Sequence, residues 1–271
     1  MMKFLKVLSL AALIIIGSGC QKQGSLVTVS LQPEPPATSS ITSVTATSTI
    51  KKTSTPIVGS TATKPTSSPT QQAQIPNVFQ LNVAFVQQAP FGKWDVVHEE
   101  TCEEASMIMA DKYFRQQPLT ETIGEQEIQK IIAWENLHNY TVDLTAAETV
   151  KVLNDYYGLS ARLSRDVTVD RIKYELFKGN IVIIPAAGRL LGNPNFKAPG
   201  PIYHMLLIKG YNDTEFITND PGTRKGNSYK YSYERLLNAI HDWNPVLAKD
   251  GMTDGEMAQG EKVIIVVEGK L

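Results

Sequence analysis

Cys102 stands between two pairs of carboxylates, in His98-Glu99-Glu100-Thr101-Cys102-Glu103-Glu104-Ala105-Ser106. A thiol can attack a carbonyl carbon when a base takes its proton, and the chain has four histidines to offer. His138 and His241 lie in helical or loop stretches and read as ordinary residues. His98 precedes the same helix as Cys102, which says little about its reach in space. His204 heads the apolar run "HMLLIKGY", and the next strand-like run, "EFITND", ends at Asn219-Asp220-Pro221. A hairpin turning near Asn212-Asp213 sets His204 opposite Pro221, with Asp220 one place away. A carboxylate there fixes the imidazole tautomer and stabilises an imidazolium. Cys102, His204 and Asp220 are therefore the candidate nucleophile, base and orienting group.

Thr101-x-x-Glu104 has the form of a capping box, which makes Cys102 the first residue of a helix. Unpaired N–H groups and the helix dipole at that end favour a thiolate. Glu103 and Glu104 turn about 100° and 200° away from Cys102, so they are expected to complement the dipole without pointing at the sulfur. An acyl-transfer intermediate also needs hydrogen-bond donors for its oxyanion. The Cys102 backbone N–H is one candidate. A side-chain amide from Gln87 or Gln88, in "NVAFVQQAPFGKWD", is the other, and strand alternation lets only one of these face a cleft.

The elements that position these groups follow from periodicity and punctuation. Helices are predicted from Cys102 to about Arg115, around Ile128, Ile131 and Ile132, from Thr145-Ala146 to Gly158, and over Val169 to Phe177, ending at Gly179. Strands begin at Ile181, His204, Glu215 and Lys262, with one helix, "YERLLNAIHDW", among them. Helices first and strands afterwards predict an α+β domain.

"QAPFGKWD", "CEEAS", "HMLLIKGY" and "NDPGT", in this order, resemble the papain-like cysteine peptidases related to bacteriocin-processing (double-glycine leader) peptidases. They resemble more narrowly the stand-alone, exported bacterial members. The resemblance spans Leu81 to Leu271. It implies a papain-like fold with N-terminal helices followed by an antiparallel sheet. It also implies Cys102 as nucleophile, His204 as general base, Asp220 as its orienter and Gln88 as oxyanion donor. Many relatives have Cys-Gly-Pro where this chain has Cys102-Glu103-Glu104, and a proline where it has Ala84, so the resemblance carries no substrate preference.

Upstream, Lys3 and Lys6 flank the apolar run Val7 to Ile16, which ends in Gly17-Ser18-Gly19-Cys20. A basic start, a short apolar core and small residues before a cysteine read as a lipoprotein signal over residues 1–19, with Cys20 lipidated. The run falls short of the roughly 20 apolar residues of a membrane-spanning helix. Residues 20–77 are rich in Ser, Thr and Pro and bury almost nothing, which predicts a disordered tether. Residues 78–271 then form the catalytic domain, outside the cell and held to the outer face of a bacterial membrane by the lipid. With Cys20 lipidated, Cys102 is the only free thiol, since the chain has two cysteines.

A net charge of −1 across 271 residues gives no support for nucleic-acid binding. No His/Cys cluster has zinc spacing. "KDGMTDGEM" lacks the alternating ligands of a calcium loop. No cofactor is expected, and a monomer acting on a peptide or protein substrate is. Two rival readings remain: a cell-wall peptide amidase, whose Asp-Cys-Ser-like motif is missing here, and a catalytically silent peptide-binding module.

Overall fold

The computed structural model describes residues 74–248 and 251–269. The expected signal, Cys20 and most of the expected tether lie outside the described residues. In chain order the elements are β1 (Phe79–Gln80), α1 (Cys102–Phe114), α2 (Glu121–Leu137), α3 (Ala146–Asp155), β2 (Ser160–Ser164), α4 (Val169–Phe177), β3 (Ile181–Ala187), α5 (Gly188–Leu191), β4 (Tyr203–Tyr211), β5 (Glu215–Asn219), β6 (Asn227–Ser232), α6 (Tyr233–Ala239), α7 (Asp254–Met257) and β7 (Ile264–Glu268). The architecture is α+β, with the long helices first and an antiparallel sheet after them. It agrees with the papain-like arrangement expected above.

Seven strands form one sheet in the order β2-β7-β3-β4-β5-β6, and β1 extends it by pairing with the end of β4. Strands β3 and β4 are buried at every residue. That is the pattern of central strands covered on both faces, and it explains their unbroken apolar runs. Each fully buried Ile or Leu here contributes about 1.5–3 kcal/mol through removal from water.

Helix α1 packs on β4 and is buried from Cys102 through Lys112, so it is a core helix with no solvent face. Helix α3 begins with a complete capping box: Thr145 accepts the Glu148 N–H, and Glu148 accepts the Thr145 N–H at 2.9 Å. The box expected at Thr101 is not formed. Thr101 has φ −105° and ψ 36°, and its hydroxyl donates instead to the Gln88 carbonyl at 3.0 Å. That bond ties the start of α1 to the incoming chain and releases Glu104 into the interior.

The hairpin register lies one place from the expected one. Leu207 pairs with Asn219 and Ile208 with Thr218, before a bulge at Lys209. Continued past Leu207, this register sets His204 opposite Gly222 and brings Asp220 to a diagonal position on the same face. Diagonal neighbours lie within side-chain reach. In the register first expected, Asp220 would have pointed to the other face.

Candidate active site

Three segments meet where α1 starts. The extended chain Leu81–Gln88 is held by β4 and β5: Asn219 Nδ2 donates to the carbonyls of Val83 and Ala84 at 3.2 and 3.0 Å, and Lys209 Nζ to that of Val83 at 3.3 Å. Burial pulls the Lys209 ammonium down to about 8. The Gln88 N–H then reaches the Pro221 carbonyl at 3.0 Å, which fixes Gln88 beside the end of the hairpin.

Asp220 is fully buried, and each of its oxygens accepts two hydrogen bonds. Oδ1 takes His204 Nε2 at 2.8 Å and the Gly222 N–H at 3.0 Å; Oδ2 takes the Tyr231 hydroxyl at 2.6 Å and Asn193 Nδ2 at 3.1 Å. Burial pushes the carboxyl up, but the charge and hydrogen bond of His204, with the donors from Tyr231 and Gly222, hold it below its ordinary value. Burial and the Asp220 charge push the Tyr231 phenol far upward, so it remains a donor. Gly222 has to be glycine, because a Cβ there would lie 2.9 Å from His204 Cε1 and from Phe196 Cε1. The Phe196 ring meets the imidazole edge-on, with centroids 5.3 Å apart. With Nε2 committed to Asp220, Nδ1 is the ring nitrogen left for the reacting groups.

Cys102 opens α1, so its backbone N–H is one of those with no carbonyl a turn back to receive it. Cys102, His204 and Gln88 all line one cleft of about 1170 Å³, which Gln87 does not line. The amide of Gln88 is engaged, however: Nε2 donates to the carbonyls of His98 and Glu99 at 2.9 and 3.0 Å, while Oε1 has no donor. His98 is itself clamped, with Nδ1 on Asp95 at 2.7 Å and Nε2 on Glu125 at 2.9 Å. It holds the loop and stands apart from the thiol chemistry.

The electrostatics at the sulfur reverse the expectation. Cys102 Sγ donates to Glu103 Oε2 at 3.0 Å, and no hydrogen bond joins it to His204 among the described residues. Burial, then the Glu103 charge and its hydrogen bond, push the thiol well above its ordinary value; the Met205 N–H opposes them. The backbone angle between adjacent helical residues is as expected, but the Glu103 side chain swings back. The Leu144 N–H binds its other oxygen at 3.2 Å and holds it there. Burial and then Glu104 push the Glu103 carboxyl up in turn. Behind it, burial and the Glu135 charge raise Glu104, while Glu135 rises to about 7 chiefly through burial.

Glu103→Gln follows as a direct probe. Glutamine keeps the Leu144 contact and replaces the carboxyl oxygen that accepts from the thiol with an N–H donor. Because the Glu103 charge raises the thiol, its removal must lower it. Alkylation of Cys102 at pH 7 is expected to rise about tenfold, with the whole pH profile displaced to lower pH. An unchanged profile would mean that Glu103 does not govern the thiol.

The model of the Peptidase_C39 like family matches residues 75–247. Among solved structures, a chain described as a C39-like peptidase from Bacillus anthracis is similar at 14% identity and a TM-score of 0.45, over 72% of this chain and 99% of that one. A comparison with curated proteins returns no match.

Proposed function

Since the chain belongs to the Peptidase_C39-like family, whose members are of the peptidase type, we propose that it is a cysteine peptidase or amidase working through Cys102, His204 and Asp220. The observation that carries this reading is His204, held by the saturated carboxylate of Asp220 behind it, lining the same cleft as the only thiol of the domain.

In the resting arrangement Glu103 holds the thiol hydrogen. For attack, Sγ turns toward His204 Nδ1, which takes the proton, and the thiolate adds to the scissile carbonyl. The Cys102 N–H receives the oxyanion. Gln88 joins it when one Nε2 hydrogen bond is exchanged for the substrate oxygen. Collapse passes the proton from the imidazolium to the leaving amine and leaves a thioester. Water, deprotonated by His204, then hydrolyses the thioester and restores the thiol. Asp220 stays ionised throughout and stabilises the imidazolium.

The test is labelling of the full chain with a thiol-directed peptide electrophile, followed by mass spectrometry of the modified residue. Modification at Cys102 that slows after His204→Ala supports the reading. The hydrogen bond from the thiol to Glu103 favours one rival, a catalytically silent peptide-binding module. Failure of Cys102 to label would select that rival.

The same reading places the domain outside the cell on a lipid attached to Cys20, with a peptide or protein as partner. It rests on the signal-like residues 1–19 alone. Cys20→Ser is expected to release the protein from the membrane fraction or block its processing. Unaltered processing and membrane retention would overturn the assignment.

A further inference from the structure

Glu99, Glu100 and Asp143 line the cleft, as do Lys197, Arg224 and Lys225. The Glu100 charge acts on Asp143, and the Asp143 charge on Glu103, so these carboxylates adjoin the nucleophile. Asp143 precedes Leu144, whose N–H binds Glu103 and whose carbonyl accepts the Tyr203 hydroxyl at 2.8 Å. Tyr203 and Trp243 stand together there, with ring centroids 5.3 Å apart, and both line the cleft.

These carboxylates are uncompensated. Burial and then the Glu100 charge push Asp143 up to about 6, and burial and then Glu99 raise Glu100; among the described residues no cation acts on either. The third observation is independent of them. Gln88 is 4% exposed and lines the same cleft next to Glu99, and its Oε1 has no donor. Carboxylates, an orphaned amide oxygen and two aromatic faces all want a positively charged group that donates hydrogen bonds. A metal ion is a poorer fit. Among the described residues, no three His, Cys, Asp or Glu side chains converge as metal ligands.

We infer that this part of the cleft is the subsite for a lysine or arginine side chain of the peptide whose scissile bond is presented to Cys102. The inference rests on Cys102 being the nucleophile, and the experiment separates the two. Epoxysuccinyl peptides, which extend both ways along a thiol-peptidase cleft, are made identical except for one side chain: lysine, arginine, norleucine or glutamate. Their rates of Cys102 modification are divided by the rate with iodoacetamide, which carries no side chain to recognise. The cationic peptides are expected to react at least about tenfold faster than the norleucine peptide, and the glutamate peptide slowest. Asp143→Asn should shrink the lysine preference, and Asp143→Lys should reverse the order of lysine and glutamate. Equal normalised rates, or a preference untouched by either variant, would overturn the subsite while leaving the nucleophile in place. If neither iodoacetamide nor any peptide modifies Cys102, the nucleophile falls and the subsite with it.

Discussion

A Cys102→Ala protein is expected to fold and to lose peptide hydrolysis by at least about 10⁴-fold, because no second nucleophile can carry the acyl group. The residual rate would come from oxyanion stabilisation and binding alone. The fold should survive, since Cys102 is 6% exposed in a core of small and medium residues, and alanine suits the first turn of a helix. Two small local costs accompany the loss. The cavity left by the sulfur costs on the order of 1 kcal/mol. Glu103 also loses its weak thiol donor but keeps the Leu144 N–H. The measurements are kcat/KM on a quenched peptide and the melting temperature of the same preparation. Retained turnover with an unchanged melting temperature would place the nucleophile elsewhere.

What could be read in the sequence was local. The start at Thr145-Ala146 and the stretch from Val169 to Phe177 ending at Gly179 announce α3 and α4, because caps and periodic apolar residues are close together in the chain. The apolar runs of β3, β4 and β7 announce central strands for the same reason. Edge strands β2 ("SARLS") and β6 ("NSYKYS") were missed, since a strand with a wet side has no apolar run. The pairing of Ser160–Ser164 with Ile264–Glu268 joins residues about a hundred apart.

The candidate site was legible to the same degree. Cys102, His204 and Asp220 are candidates from their places at element ends. Tyr231 and Asn193, which saturate Asp220, were not. Tyr231 comes into reach only once β6 pairs with β5, opposite Phe216, and Asn193 only once the loop after α5 folds back. The hairpin register missed by one place because the chain turns about Asp213-Thr214, one residue later than expected, which displaces the pairing by two, and the bulge at Lys209 takes one of these back. Spacing alone carries no sign of that. The carboxylate at the sulfur was misjudged because helical spacing fixes Cα directions and leaves three torsions of Glu103 free. The loop at Leu144 decides those torsions.

Asp220→Asn is expected to keep the fold and lower turnover by at most about 10⁴-fold, the loss for the corresponding change in a serine-protease triad, where the tautomer is lost as well as the charge. The argument begins with the donors. Asparagine can offer its carbonyl oxygen to His204 Nε2 and the Gly222 N–H, where Oδ1 now sits. Its NH₂ then faces Tyr231, whose hydroxyl can turn to accept. Asn193 Nδ2 loses one acceptor but keeps its 2.8 Å bond to the Tyr231 oxygen. The structural cost is therefore about 1–3 kcal/mol, that of one imperfect buried hydrogen bond. The imidazole keeps its tautomer and orientation, but the charge that stabilises an imidazolium is gone. Each step that protonates His204 suffers, while simple alkylation of Cys102 changes less. Stability against pH separates charge from packing. The Asp220 carboxyl is held below its ordinary value in the folded state, so its ionic contribution is present above pH 3.8 and lost as pH falls through the lowered folded value. The gap in melting temperature between wild type and Asp220→Asn should accordingly narrow below pH 3.8. A gap that stays constant with pH, together with unimpaired turnover, would reduce Asp220 to a packing residue.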